Sequence, residues 1–175
     1  MNVADIALSG RQLFPYEYYG IYRRSQLYPV EIEVATGAFS VRGNSTALGV
    51  FVHPDNPLEH LTLRQLDGIY GDAYAAMSSR TAQVKPLALA ESAEGPFVAP
   101  TRATVASRAY PLARSAYLYL APDTATGDRA ALDPKLREFV RYVLSRQGQA
   151  DVAREGDHLP LTLALLLEQR RRLGD

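Results

Sequence analysis

The stretch LDPKLREFVRYVLSRQGQADVAREGDHLPL, residues 132–161, decides how the C-terminal part of this chain folds. Asp133 is a good helix N-cap, and Pro134 suits the first helical position, where a missing N–H costs nothing. Leu136, Phe139, Val140, Val143 and Leu144 recur at i, i+3, i+4, i+7 and i+8, which predicts a helix with one buried face. Lys135, Arg137, Glu138, Arg141 and Arg146 fall on the solvent side. Gly148 reads as a left-handed C-cap, followed by a short second helix around residues 150–154 and a turn at Gly156.

Working outward, the chain is 175 residues long, which suits one domain with a substantial core. Nineteen basic and nineteen acidic residues cancel, so no nucleic-acid or membrane-surface footprint is visible. All the basic residues except Lys85 and Lys135 are Arg, scattered apart from Arg170, Arg171 and Arg172, which suit the last turn of a helix. The absence of Cys rules out a disulfide framework and a thiol nucleophile. No apolar run reaches the roughly 20 residues of a membrane-spanning helix. There is no G-x-S-x-G, Walker loop or H-E-x-x-H, so nothing in the sequence points to an enzyme. His53, Asp55 and His60 match no common metal-site spacing and read as surface turn residues. No metal or cofactor is expected.

Strands are expected at about 3–8, 30–35, 47–53, 84–90 and 116–120, and helices separate most of them. A helix opens at Phe14-Pro15 and runs to about Gln26; its Tyr16, Tyr18, Tyr19 and Tyr22 read as half-buried packing residues, not a stacking platform for bases. Thr62 caps a helix with Leu63, Leu66 and Ile69 inward. Thr101 caps a short one ending near Ser107, and residues 162–173 form a last amphipathic helix. Residues 37–46 (GAFSVRGNST) and 121–129 (APDTATGDR) read as turn-rich loops. Pro86 marks the strand at 84–90 as an edge or irregular one. The pattern predicts an α/β chain with a mixed sheet and helices on both faces.

Several segments, in order, resemble a known family. ADIALSGRQLF (residues 4–14), HPDNPLEHLTLRQLDGIYG (53–71), AYAAMSSRTAQVKPLALAES (73–92), YPLARSAYLYL (110–120), EFVRYVLSRQGQ (138–149) and HLPL (158–161) are similar to passages of the phosphate-binding proteins of ABC transporters, the two-lobed periplasmic solute receptors. The resemblance implies a three-layer single lobe of the type II periplasmic binding protein-like fold over residues 1–175. It implies that the second lobe is missing near residue 72, where Asp72 leads almost at once into the family's return segment. The family's first anion loop has no counterpart in the chain either.

What the resemblance implies about function is a non-enzymatic phosphate receptor with an ABC transporter permease as partner. In relatives the end of the first strand reaches the ligand cleft, which assigns Ser9, Gly10 and Arg11 to ligand binding. Some relatives carry an Asp there; Gly10 stands in its place, leaving the Ser9 hydroxyl and the Arg11 guanidinium fork for an anion. A polar strand-to-helix turn is the bland reading of the same residues. With half the site missing, phosphate binding is expected to be impaired, and the alternative is a stand-alone α/β scaffold or interaction module that has lost its ligand. The family implies a periplasmic location. No signal peptide follows Met1, which implies a cytoplasmic protein if Met1 is the true start. An unpaired sheet edge near the first strand predicts self-association.

Overall fold

The computed structural model describes residues 5–37, 48–70, 75–76, 84–122, 132–156 and 158–175. The chain divides into two compact units. The first comprises residues 1–35, 115–151 and 161–175, and the second comprises residues 36–114 and 152–160.

In the first unit, β1 (Ile6–Ser9), β9 (Ser115–Leu120) and β2 (Val30–Thr36) form a three-stranded sheet in the order β1-β9-β2. β1 runs antiparallel to β9, with Ile6 opposite Leu120 and Ser9 opposite Tyr117. Ile32, Val34, Ala116, Leu118 and Leu120 are buried. The strand expected at about 3–8 is β1; among the described residues it is the end strand of its sheet, and its Leu8 is 74% exposed.

The capped helix is present as α4 (Pro134–Val143), with Asp133 Oδ1 accepting from the backbone N–H of Lys135 at 2.8 Å and of Leu136 at 3.4 Å. Leu136, Val140 and Leu144 are buried as the periodicity predicts, but Phe139 is 47% exposed and Val143 only half-buried. The buried stripe is therefore narrower than the run of apolar residues.

Gly148 is also not a C-cap. It lies inside α5 (Arg146–Glu155), which starts earlier than expected, with the Ser145 hydroxyl accepting from its N–H at 3.1 Å. A Cβ on Gly148 would stand 2.2 Å from the Tyr142 carbonyl oxygen, so the residue is small because α4 and α5 turn tightly against each other. Gly156 does take the left-handed turn, at φ +77°.

Next to Gly148, the buried Gln149 ties three backbone segments together. Its amide donates to Val34 O and Val143 O, each at 3.0 Å, and its oxygen accepts from Leu161 N–H at 2.7 Å. Buried Gln169 of α6 (Leu163–Leu173) accepts from Glu33 N–H of β2 at 3.0 Å. Arg172 at the end of α6 pairs with Glu168 at 2.8 Å, and Gly174 closes the helix at φ +85°.

The second unit carries short ladders. β3 (Leu48–Gly49) pairs antiparallel with β6 (Ala75–Ala76), β4 (Phe51–Val52) antiparallel with β7 (Lys85–Pro86), and β5 (His60–Thr62) parallel with β8 (Ala88–Ala90). Val50, Leu61, Leu66, Leu87, Leu89, Val105, Tyr110 and Leu159 make its core. The expected continuous sheet is thus divided, among the described residues, into one three-stranded sheet and three two-stranded ones, with both parallel and antiparallel pairs.

α2 (Leu63–Tyr70) begins behind Thr62, whose hydroxyl accepts from Gln65 N–H at 3.2 Å while Gln65 Oε1 accepts from Thr62 N–H at 2.9 Å. Leu66 is fully buried and Leu63 packs on the core, but Ile69 is 61% exposed and not inward as its spacing suggests. Thr101 caps α3 (Arg102–Ala106) through Thr104 N–H. The loop reading of residues 38–46 and of most of 121–129 lies outside the described residues, as does the passage at Asp72.

Candidate ligand site

The corner at Ser9, Gly10 and Arg11 joins the end of β1 to α1 (Pro15–Ser25). The Ser9 hydroxyl turns inward, donating to Arg11 O at 2.7 Å and accepting from Arg11 N–H at 3.3 Å. Such a turn uses the side chain locally, as serines at strand ends commonly do. Gly10 is exposed.

Arg11 faces Glu17. Its Nη1 and Nη2 donate to the two carboxylate oxygens at 2.7 and 3.0 Å, a fork-to-fork pair, and Nη1 also donates to Gln12 O at 2.9 Å. The guanidinium carbon sits 4.4 Å from the Phe14 ring centroid. Glu17 also accepts from Phe14 N–H at 2.7 Å, so one carboxylate neutralises Arg11 and satisfies the first turn of α1. The Arg11 hydrogen bond, with the Phe14 N–H next, holds the Glu17 carboxyl down to about 2. Reciprocally, Glu17 raises the Arg11 guanidinium.

A second carboxylate lies beside the corner. Glu31 of β2 accepts from Gln12 Nε2 at 3.0 Å, from Tyr119 OH at 2.9 Å and from Tyr18 OH, with Arg172 Nη1 at 3.7 Å. Tyr119 OH in turn accepts from Leu13 N–H at 2.9 Å. Burial pushes the Glu31 carboxyl up, but the bonds from Tyr18, Gln12 and Tyr119, with Arg172, outweigh it and hold the group below its ordinary value. Burial pushes the Tyr119 phenol up to about 12 and raises Tyr18 as well, so both stay protonated donors. The corner thus places one hydroxyl and one guanidinium together, each already committed to a partner within the chain.

The sequence reading singled out Ser9, Gly10 and Arg11 but not Glu17 or Glu31. Glu17 was findable as an acidic residue in the first turn behind Pro15. Glu31 announces itself only as one of two carboxylates in a strand otherwise apolar, and its tyrosine partners arrive from α1 and β9.

His53 Nδ1 lies 3.6 Å from Asp55, both exposed, while the His60 ring sits tilted against Phe97 with centroids 4.4 Å apart. Among the described residues no group of three His, Asp or Glu is placed to hold a metal ion. No described helix is long and apolar enough to cross a membrane. Tyr22 and Tyr28 stack on each other, with ring centroids 4.7 Å apart, whereas Tyr16 and Tyr19 are 69% and 58% exposed and not the half-buried packing residues their spacing suggests.

The phosphate-binding protein PstS of two Pseudomonas aeruginosa strains is 32% identical over 106 residues. Over that stretch the chain is similar to that phosphate-binding protein. The aligned stretch takes in 59% of this chain and 31% of the PstS chain, so it spans about a third of the relative's length. No family model matches.

The fold of the phosphate receptors is also the fold of this chain. A possible phosphate-binding protein from Planctomyces limnophilus superposes with a TM-score of 0.61 at 17% identity, over 98% of this chain and 80% of the other. An ABC-type phosphate transport receptor from Vibrio cholerae superposes with a TM-score of 0.59 at 16% identity, over 90% and 81%. The architecture is α/β, of the periplasmic phosphate-receptor type.

Proposed function

We propose that this chain is a non-enzymatic solute receptor of the phosphate ABC-importer kind, working in the periplasm beside a transporter permease, with a weakened anion site at Ser9, Gly10 and Arg11. Similarity to PstS supports the receptor reading. The observation that carries the weakened site is the Arg11–Glu17 fork, since an entering phosphate must displace a carboxylate already bonded at 2.7 and 3.0 Å. Glu31 adds a second negative charge beside the corner, and like charges repel an anion.

Magnitudes favour weakness. Solvent-exposed ion contacts contribute about 0–1 kcal/mol each. Millimolar affinity needs about 4 kcal/mol, more than Ser9 and Arg11 supply together. If the ligand has been lost altogether, the same fork makes the corner a structural joint of an α/β scaffold, which is the second reading.

We also propose that residues 1–175 amount to a single receptor lobe, the second lobe's passage being omitted after Asp72. A single cooperative transition in calorimetry is the expected result, and two separate transitions would count against it.

The site is tested by NMR chemical-shift titration of the 175-residue chain with inorganic phosphate at low salt. The expected result is no saturation in the micromolar range, with shifts at Ser9, Gly10 and Arg11 that tighten several-fold in Glu17→Gln and vanish when Arg11→Ala is added. A micromolar isotherm in the unmodified chain overturns the weakened site. Indifference of the shifts to Glu17→Gln overturns the role of the fork.

A further inference from the structure

We propose that residues 12–25 form a flap hung on the sheet by the carboxylate of Glu31, so that removing its negative charge frees α1 while the sheet stays folded. This inference stands independently of phosphate. Most helices in proteins are held by burying an apolar face. No residue of α1 is buried, so this helix is held by other means.

Among the described residues, the hydrogen bonds that join the flap to the sheet converge on one point. Gln12 Nε2 and Tyr18 OH donate to the two Glu31 oxygens. Leu13 N–H donates to Tyr119 OH, which donates to Glu31 in turn. The Tyr18 ring also meets the Tyr119 ring edge-on, with centroids 6.0 Å apart. Hydrogen bonds chained in this way strengthen one another, so losing the acceptor at the end weakens them all.

Other contacts brace the flap from within. The Arg11–Glu17 fork spans six residues and Glu17 accepts from Phe14 N–H three residues away, so neither ties the flap to the sheet. Tyr22 stacks on Tyr28, just beyond the end of α1. The flap has a pivot at each end. One is the Ser9–Arg11 turn, and the other is Gln26, left-handed at φ +61°.

Glu31 faces Tyr18 of α1, Tyr119 of β9 and Arg172 of α6, itself paired with Glu168. Its side chain is only 12% exposed, so little water is at hand to replace these donors. Both tyrosines stay protonated and the arginine stays charged, which leaves Glu31 as the group that acid changes. A protonated carboxyl turns an O–H toward donors that need an acceptor, and an amide turns its NH2 toward them. The donors hold the carboxyl below its ordinary 4.5. The flap is therefore fully tied above about 4.5 and released as pH falls through the lower folded value.

Amide hydrogen exchange of the 175-residue chain, followed residue by residue by NMR near neutral pH, tests this. A free helix of 11 residues is marginal, so release exposes its amides. In Glu31→Gln the α1 amides should exchange roughly tenfold faster, as expected for one lost hydrogen bond to a charged group, while those of β9 keep their rate. Tyr18→Phe, which leaves the Glu31 charge in place, should speed the same α1 amides. Glu168→Gln removes an equal charge from α6 and should leave them unchanged. In the unmodified chain the α1 resonances should shift together in acid, and Glu31→Gln should lack that step. Equal acceleration of α1 and β9, or an unfolded Glu31→Gln chain, means that the carboxylate holds the sheet itself and overturns the proposal. So does α1 exchange indifferent to Glu31→Gln or to Tyr18→Phe, an equal effect of Glu168→Gln, or an acid step that persists in Glu31→Gln.

Discussion

Replacing Gly148 by Ala sets two opposing effects against each other, and the structure says which wins. Inside a helix Ala is favoured over Gly by about 1 kcal/mol, because Gly loses more backbone freedom on folding. At Gly148, however, an added Cβ meets the Tyr142 carbonyl oxygen at 2.2 Å, the Val143 carbonyl oxygen at 2.8 Å and Val143 Cα at 2.9 Å. All three are backbone atoms of the end of α4, so no side chain can rotate away. The α4–α5 turn has to open, and opening it pulls on the Gln149 bonds to Val34 and Leu161. Overpacking of a tight core typically costs 1–3 kcal/mol, and loss of one such buried hydrogen bond costs about 1–3 kcal/mol more. Against the gain of about 1 kcal/mol from Ala, the net expectation is destabilisation of about 1–5 kcal/mol, or a midpoint lowered by roughly 2–20 °C at 2–4 °C per kcal/mol.

Gly20 is the built-in control: it lies in α1, and a Cβ there meets nothing within 4 Å. Gly20→Ala should therefore raise stability by about 0.5–1 kcal/mol. Differential scanning calorimetry and urea denaturation on both variants decide the matter. A Gly148→Ala variant as stable as the unmodified chain, or a Gly20→Ala variant that loses as much as Gly148→Ala, would refute the reasoning.

Three further outcomes are expected. Phe139→Ala should cost under about 1 kcal/mol, because the ring is half exposed, whereas Leu144→Ala at a fully buried position should cost about 2–5 kcal/mol; equal losses in urea denaturation would contradict the observed burial. Glu17 has its carboxyl held at about 2 against an ordinary 4.5, so its contribution is complete above about 5 and is lost as pH falls toward 2. Glu17→Gln should flatten the acid limb of a stability–pH curve over that window, and an unchanged slope would contradict the fork. Tyr110 is buried, its hydroxyl has no hydrogen-bond partner among the described residues, and burial raises its phenol. An unpaired buried hydroxyl is costly, so Tyr110→Phe should leave stability unchanged or raise it by up to about 1–3 kcal/mol; a clear loss in calorimetry would show that the hydroxyl is bonded.

Local signals were legible in the sequence wherever one residue and its near neighbours settle the outcome. Asp133 with Pro134, Thr62 with Gln65, and Thr101 with Thr104 are caps made within three residues, and each starts its helix where the sequence says it does. The segments that resemble the phosphate-binding proteins carried the α/β fold, because their order and spacing are properties of the chain itself. Leu136, Val140 and Leu144 follow from helical period alone. Phe139 and Ile69 do not, since period defines an apolar face but not how wide a strip of it the neighbouring elements cover.

Tertiary structure decided the rest. Gly148 reads as a helix end until α4 and α5 are seen to approach too closely for any side chain. Arg11 reads as an anion ligand until Glu17 is seen in its fork, and Glu31 is unremarked until Tyr18, Tyr119, Gln12 and Arg172 converge on it from separate elements. A guanidinium's availability depends on which carboxylate reaches it first in space. The physical reason is that hydrogen bonds and close contacts act over a few ångströms between residues as far apart as Leu13 and Tyr119, and a one-dimensional pattern holds no record of that distance.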